Sequence, residues 1–230
     1  FFPSWLTAIV FWVSLGIGSL FFTMLHHLVG ATWSVVLQRI SETLMAVLPF
    51  MAVFFIPVIF GLHTLYHWSH PDAVAQDIVL QKKTAYLNEP FFIVRSAAYF
   101  IIWTIFGTWL YRLSIRQDTG DMSVNPKMRS ISAPGMIFFA VTVTYAAFDW
   151  LMSLDPHWYS TIFGVYYFAG CFLAQVGLMV VLVFYLQKKN MLTHAVTEAH
   201  YHDLGKWMFG FTIFWAYMAF SQFFLIWYAN

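Results

Sequence analysis

Two charged side chains, Arg95 and Asp149, lie inside long apolar stretches of this sequence. A charge in hydrocarbon costs several kcal/mol, so each needs a partner or a task. Arg95 falls near the start of one stretch and Asp149 near the end of the next. At ~1.5 Å of helix rise per residue both lie ~5 Å deep, and consecutive antiparallel spans put them on the same side, within reach of each other. Two readings are open to such a pair. One is a buried salt bridge that locks two helices, or an Arg95 that merely snorkels to the headgroups. The other is a proton-exchanging or quinol-facing site, in which burial and the Arg95 charge together set the proton affinity of Asp149.

The polar residues around the pair extend both readings. Thr142, Tyr145 and Asp149 recur at i, i+3 and i+7, a spacing that places a hydroxyl ladder on one helix face. Arg95 and Tyr99 share a face in the same way, and Asp155 and His157 stand in the loop that follows Asp149. Gln175 falls near the middle of the fifth apolar stretch, and Tyr217, Ser221 and Gln222 in the last half of the sixth. Hydrogen-bonded glue between helices accounts for these groups as well as a proton path does. The opposite half of the spans offers no ionisable relay, so a full-width proton wire finds little support.

Other chemistries fare worse. A b-type haem needs histidines at equal depth on facing helices. Instead His26 and His27 sit at one membrane face, His63 and His67 at the other, and the remaining histidines in loops. His200-x-His202, with His194 and Asp203, is a weak metal signal and reads better as solvated loop residues. The single cysteine, Cys171, makes neither an internal disulfide nor a cluster site. A net charge of +1 leaves no basic surface for nucleic acid.

The elements that position these residues follow from composition. Of 230 residues 61% are hydrophobic and 9% charged, against ~25% charged in soluble domains. Six stretches reach the ~20 apolar residues that cross a bilayer: about 4–28, 43–66, 91–113, 131–152, 160–186 and 205–228. They are uniformly apolar rather than alternating, which predicts helices and excludes a barrel. The expectation is an all-α, polytopic integral membrane protein forming one transmembrane domain over residues 1–230. Pro57 is expected to kink the second span. Residues 67–90 and 116–130 read as loops, and Trp5, Trp68, Trp109, Trp150, Trp158 and Trp227 as headgroup anchors. Ser14-x-x-x-Gly18 and Gly170-x-x-x-Ala174 predict close helix contacts. Arg39, Arg112, Arg116, Lys127, Arg129, Lys188, Lys189 and Lys206 fall on one side, and only Lys82, Lys83 and Arg95 on the other. That excess makes the first side cytoplasmic and places the Asp155–His157 loop outside. With no initiator Met and an end inside an aromatic run, the sequence is expected to be part of a longer chain. A transporter built on broken helices has Pro49 and Pro57 in its favour and the lack of a midplane charge against it.

Specific strings add a resemblance. KTAYLNEPFFIVRSAAYFIIW from Lys83, AAFDWLMSLDPHWYSTIFGVYYFAG from Ala146, the terminal SQFFLIWYAN, SLGIGSLFF from Ser14 and GATWSVVLQRISE from Gly30 together resemble the ActF-type membrane subunits of bacterial alternative complex III. These quinol:cytochrome c oxidoreductase subunits belong to the NrfD-like, polysulfide-reductase-type superfamily. The resemblance covers essentially the whole sequence. It implies an NrfD-like bundle of about ten helices, of which six are present here, in the bacterial inner membrane and the respiratory electron-transport chain. It also implies a subunit that is not catalytic alone and holds no metal or haem. Menaquinol is then the substrate class, with menaquinone its product. Electrons leave toward iron–sulfur clusters and c haems carried by partners. Those partners are a homologous NrfD-like subunit (ActC), an iron–sulfur subunit (ActB) and multihaem cytochrome c subunits, with a terminal oxidase as a further neighbour. For such subunits both quinone binding and proton translocation are implied, and the alternative is a scaffold that binds no quinone.

Overall fold

A computed structural model describes residues 1–193 and 195–229, which form helices, turns and connecting segments with no strand. Six helical segments among the described residues are long and apolar enough to cross a membrane. In hydrocarbon every backbone polar group must be paired within the segment, and a helix does this residue by residue. The first segment is α1 (Phe2–Val29), closed by Gly30 at φ 62°, a left-handed cap whose N–H bonds the His26 carbonyl. The second comprises α2 (Val35–Met45) and α3 (Leu48–Phe60), separated at Ala46 and Val47. Three short helices follow: α4 (Leu62–Leu65), α5 (Pro71–Gln76) and α6 (Ile78–Lys83). The remaining long helices are α7 (Glu89–Asp118), α8 (Asn125–Trp150), α9 (Phe163–Lys188) and α10 (Glu198–Ala229).

Hydropathy located all six helical segments long and apolar enough to cross a membrane but misjudged some of their ends. The second begins at Val35, eight residues before the expected start, because the polar face of α2 disguises it. The chain breaks before Leu48 rather than at Pro57, which lies inside α3 three residues from its end. Residues 67–88, expected to be loop, fold into a short 3-10 turn and the helices α5 and α6. Asp77 caps α6 by accepting from the N–H groups of Val79 and Leu80, and Asn88 caps α7 by accepting from Phe91.

Helix α1 is the centre of the bundle, packed against α2, α3, α8 and α9, while α10 packs on α9. The α1–α9 approach depends on Gly18, where a Cβ would stand 2.6 Å from the Cys171 carbonyl oxygen and from Gln175 Cβ. The Ser14-x-x-x-Gly18 motif is thus a packing motif, whereas Gly170 faces Trp215 of α10. Two expected headgroup anchors are core residues instead. Trp68 and Trp150 are buried, and Trp150 packs on Phe55, Phe100 and Trp103 while its Nε1 donates to Ser96 Oγ at 3.0 Å. Trp109, Trp158 and Trp227 are exposed to the surroundings, as an anchor requires.

Candidate functional site

The Arg95 and Asp149 side chains meet where the beginning of α7 crosses the end of α8. Arg95 Nε donates to Asp149 Oδ2 at 2.8 Å and Nη2 donates to Oδ1 at 2.9 Å, a two-pronged contact that matches the guanidinium fork to the carboxylate plane. Asp149 is 0% exposed. Tyr99, one turn after Arg95 on α7, adds a third donor, its hydroxyl lying 2.6 Å from Oδ2. The remaining guanidinium nitrogen, Nη1, donates to the Tyr86 carbonyl at 2.9 Å, and the cation lies over the rings of Tyr86 at 3.9 Å and Phe91 at 4.1 Å. A fully buried carboxylate is thus matched by three donors, two of them from one cation, and the cation by aromatic faces.

Segment 67–88 covers this pair. Tyr66 donates its hydroxyl to the Trp150 carbonyl at 3.0 Å, and Tyr86 stacks on Arg95 with its own hydroxyl buried and unpartnered among the described residues. Burial first, and then the Asp149 charge, push both phenols well above the ordinary tyrosine range, so both stay protonated. The covering segment is latched to the loop after α8. His157 Nε2 lies 2.8 Å from Asp77 Oδ2, and Lys83 Nζ donates to the Pro156 carbonyl at 2.5 Å. Asp155 accepts from the His157 backbone N–H, so Asp155 and His157 hold this latch rather than bonding to Asp149.

The hydroxyl ladder expected on α8 does not form. Tyr145 stands 60° around the helix from Thr142 and is 43% exposed, pointing away from the interior. Thr142 is buried, but its hydroxyl donates back to the Phe138 carbonyl and accepts from Trp103 Nε1 at 2.8 Å, which closes it off. Tyr217 is exposed, and Ser221 bonds the Met218 carbonyl of its own helix. Gln222 accepts from Ser160. Gln175 is different: it is 0% exposed, and among the described residues neither its amide nitrogen nor its oxygen has a partner. His194 lies outside the described residues, which contain no group of three or more His, Cys, Asp or Glu able to hold a metal.

One buried carboxylate escaped the sequence reading. Glu42 of α2, placed there outside the second span, is 0% exposed. It accepts from Gln38 Nε2 at 2.7 Å and Ser114 Oγ at 2.8 Å, and pairs with Arg39 Nη1 at 3.0 Å. Arg39 in turn bonds the exposed Asp118. The half of the bundle where no ionisable group was expected therefore contains a buried carboxylate. The signal available was the i, i+4 pair Gln38/Glu42 ahead of an apolar run, which resembles an ordinary helix start. Comparison with protein-family models and with curated proteins gives no match for this chain.

Proposed function

We propose that this chain is a membrane subunit of a bacterial quinol:cytochrome c oxidoreductase of the alternative complex III type, and that Asp149 exchanges protons on the side where Arg95 holds it. The observation that carries the reading is the Arg95–Asp149–Tyr99 cluster, a fully buried carboxylate held by one cation and one hydroxyl where α7 meets α8. The strings that resemble ActF-type subunits contain all three residues. On this reading the chain lies in the inner membrane beside an NrfD-like partner and works with iron–sulfur and c-haem subunits. Menaquinol oxidation by the complex releases protons, and Asp149 serves their exit without binding the quinone.

Geometry favours the proton role over direct quinol contact. Both oxygens of Asp149 are engaged within the protein, leaving no free edge for a hydroquinone. A cavity of about 680 Å³ between α1, α9 and α10 is lined by apolar residues such as Leu6, Val10 and Leu151, and by neither Arg95 nor Asp149. A second reading, a scaffold, draws on the same completeness: a pair whose every acceptor is satisfied also suffices to hold α7 on α8. Asp149→Asn in the assembled complex separates the two. Loss of quinol:cytochrome c turnover or of proton release, with haem content intact, supports the proton role, and full turnover leaves the scaffold.

A further inference from the structure

Three elements close off Asp149. Two are the long helices α7 and α8, which lock together through the buried rings of Trp103 and Trp150. The third is residues 78–87, the six-residue helix α6 and the turn after it, which sets Tyr86 over Arg95. Extended backbone bounds this piece at both ends, with Asp77 at φ −119°, ψ 111° and Asn88 at φ −142°, ψ 150°, so the helices on either side stop before they reach it. Its grip on the core is the two buried side chains Leu80 and Leu87. Against that grip, the closed arrangement buries the Tyr86 hydroxyl with no partner among the described residues, a cost that water would relieve. A short piece with few buried side chains is where a structure opens locally.

Two polar contacts hold the two ends of α6 onto the loop after α8: Asp77 Oδ2 to His157 Nε2 at 2.8 Å, and Lys83 Nζ to the Pro156 carbonyl at 2.5 Å. From that loop Asp155 accepts from the His157 backbone N–H, and the Tyr159 ring lies 5.9 Å from Lys83 Nζ. Beyond them His63 pairs with Glu89 at the start of α7, and His67, His70 and Asp72 stand on the segment before α6. The His157 side chain is 57% exposed, so water reaches it, and an imidazole gains its charge as pH falls from 8 toward 5. A neutral His157 gives Asp77 one hydrogen bond, and a protonated one adds an ion pair to it. We propose that residues 78–87 form a gate over Asp149, held shut by these two contacts, and that acid on its own side tightens it. The inference rests on the proton-exchange reading of Asp149, and it supplies what that reading needs, a route for water to a carboxylate that is 0% exposed. A proton outlet built in this way closes as its own side fills with protons.

Leu87→Cys in the detergent-purified native assembly reports the open state, through its rate of reaction with a charged methanethiosulfonate read from the mass of the peptide that carries it. A thiol at position 72, exposed on α5, gives the rate without a gate, and position 87 should react far more slowly. Glutamine at 157 keeps a hydrogen bond to Asp77 but takes no charge. Added to Leu87→Cys, His157→Gln should therefore leave the rate unchanged at pH 8 and raise it about two- to fivefold at pH 6, the range of a partly exposed ion pair. The ionisation of the thiol and the His63–Glu89 contact are common to both proteins and drop out of the ratio. Lys83→Met should raise the rate about tenfold at both pH values, the scale of one charge-assisted hydrogen bond. A thiol at 87 as reactive as one at 72, or one whose rate neither variant raises, overturns the gate. An effect of His157→Gln that is equal at pH 6 and pH 8 overturns its tightening by acid. If Leu87→Cys does not assemble, exchange of the backbone amides of 84–88, compared between wild type and each variant at the same pH, decides by the same ratios. Labelling needs no quinol, so a failed gate leaves the turnover of Asp149→Asn to judge the proton role, and a failed proton role leaves these rates as they are.

Discussion

Replacing Asp149 by Asn keeps the shape of the side chain and removes its charge, which makes it the sharpest probe of the α7–α8 junction. Three donors converge on the two carboxylate oxygens: Arg95 Nε, Arg95 Nη2 and the Tyr99 hydroxyl. Asparagine offers one oxygen and turns an NH2 toward a guanidinium, so at least one donor loses its acceptor and a buried cation loses its counter-charge. Stranding one member of a buried pair costs ~3–5 kcal/mol, a shift of roughly two to four powers of ten in the folding equilibrium. The double change Arg95→Met with Asp149→Leu removes both charges together. It leaves unpaired the Tyr86 carbonyl that Nη1 had bonded and the Tyr99 hydroxyl, ~1–3 kcal/mol each, against which removal of a buried ion pair returns ~1–4 kcal/mol. Unfolding of the purified protein by titrating a harsh detergent into a mild one should therefore rank the wild type and double variant close together and the single variant far below. Turnover measured on the same preparations completes the test. An Asp149→Asn protein as stable as the wild type refutes the buried-pair energetics, and a double variant with full quinol:cytochrome c activity removes Asp149 from the mechanism.

Four further outcomes are expected. Glu42→Gln should cost less than Asp149→Asn, ~1–3 kcal/mol in the same detergent unfolding, because Arg39 keeps Asp118 as a partner; an equal or larger loss would count against that account. Gly18→Ala should cost ~1–3 kcal/mol or prevent assembly, since the new methyl meets the Cys171 backbone, and a protein of unchanged stability would refute the close α1–α9 crossing. An engineered thiol between Thr119 and Asn125 should react from the cytoplasm and one at position 72 only from outside, and reversed labelling would invert the topology. Burial raises the Asp77 carboxyl, but the N–H groups of Val79 and Leu80 and the neighbouring His157 outweigh it and hold the group below the ordinary carboxylate range. A depressed carboxyl stabilises the fold above its unfolded value, ~4, and loses that contribution as pH falls through the folded value. Protection of 78–83 against hydrogen exchange, measured relative to the unfolded chain at the same pH, should thus persist at pH 4 and fall below it, and His157→Ala should move that fall to higher pH.

How much of this was legible beforehand depended on whether a feature is set by one helix or by several. Length and apolarity of a span are properties of one segment, and all six crossings were readable. That Arg95 and Asp149 come to one level was readable too, because helix rise converts residue number directly to distance along each helix. Tyr145 was misplaced because a face was inferred from spacing alone: a three-residue step leaves a side chain 60° off, enough to turn it from the interior to the surroundings. Glu42 was missed for the converse reason. Its own neighbourhood, Arg39 to Glu42, is polar, and only the packing of α2 against α1 and α7 buries it. Trp68 and Trp150 read as anchors by position along the chain, yet the segment folded over them places both in the core. Gln175 stood out as a mid-span amide, but that both ends lack partners is a property of the packed bundle.

Helix α7 touches both buried carboxylates, through Arg95 near its start and Ser114 near its end. Nineteen residues separate them, ~28 Å of helix, close to the ~30 Å of hydrocarbon a bilayer presents. Each carboxylate stands beside a guanidinium at its own level, so the resting protein places little uncompensated charge in the membrane field, and voltage does little work on it. Protonating Asp149 changes that at once, because Arg95 is then an unbalanced charge within the dielectric, whereas Arg39 beside Glu42 keeps Asp118 as a partner. A charge carried from one level to the other would traverse almost the whole potential drop, ~2.3 kcal/mol for every 100 mV. The two sites thus form the unequal plates of a capacitor, discharged while both pairs are intact and charged when Asp149 gains a proton.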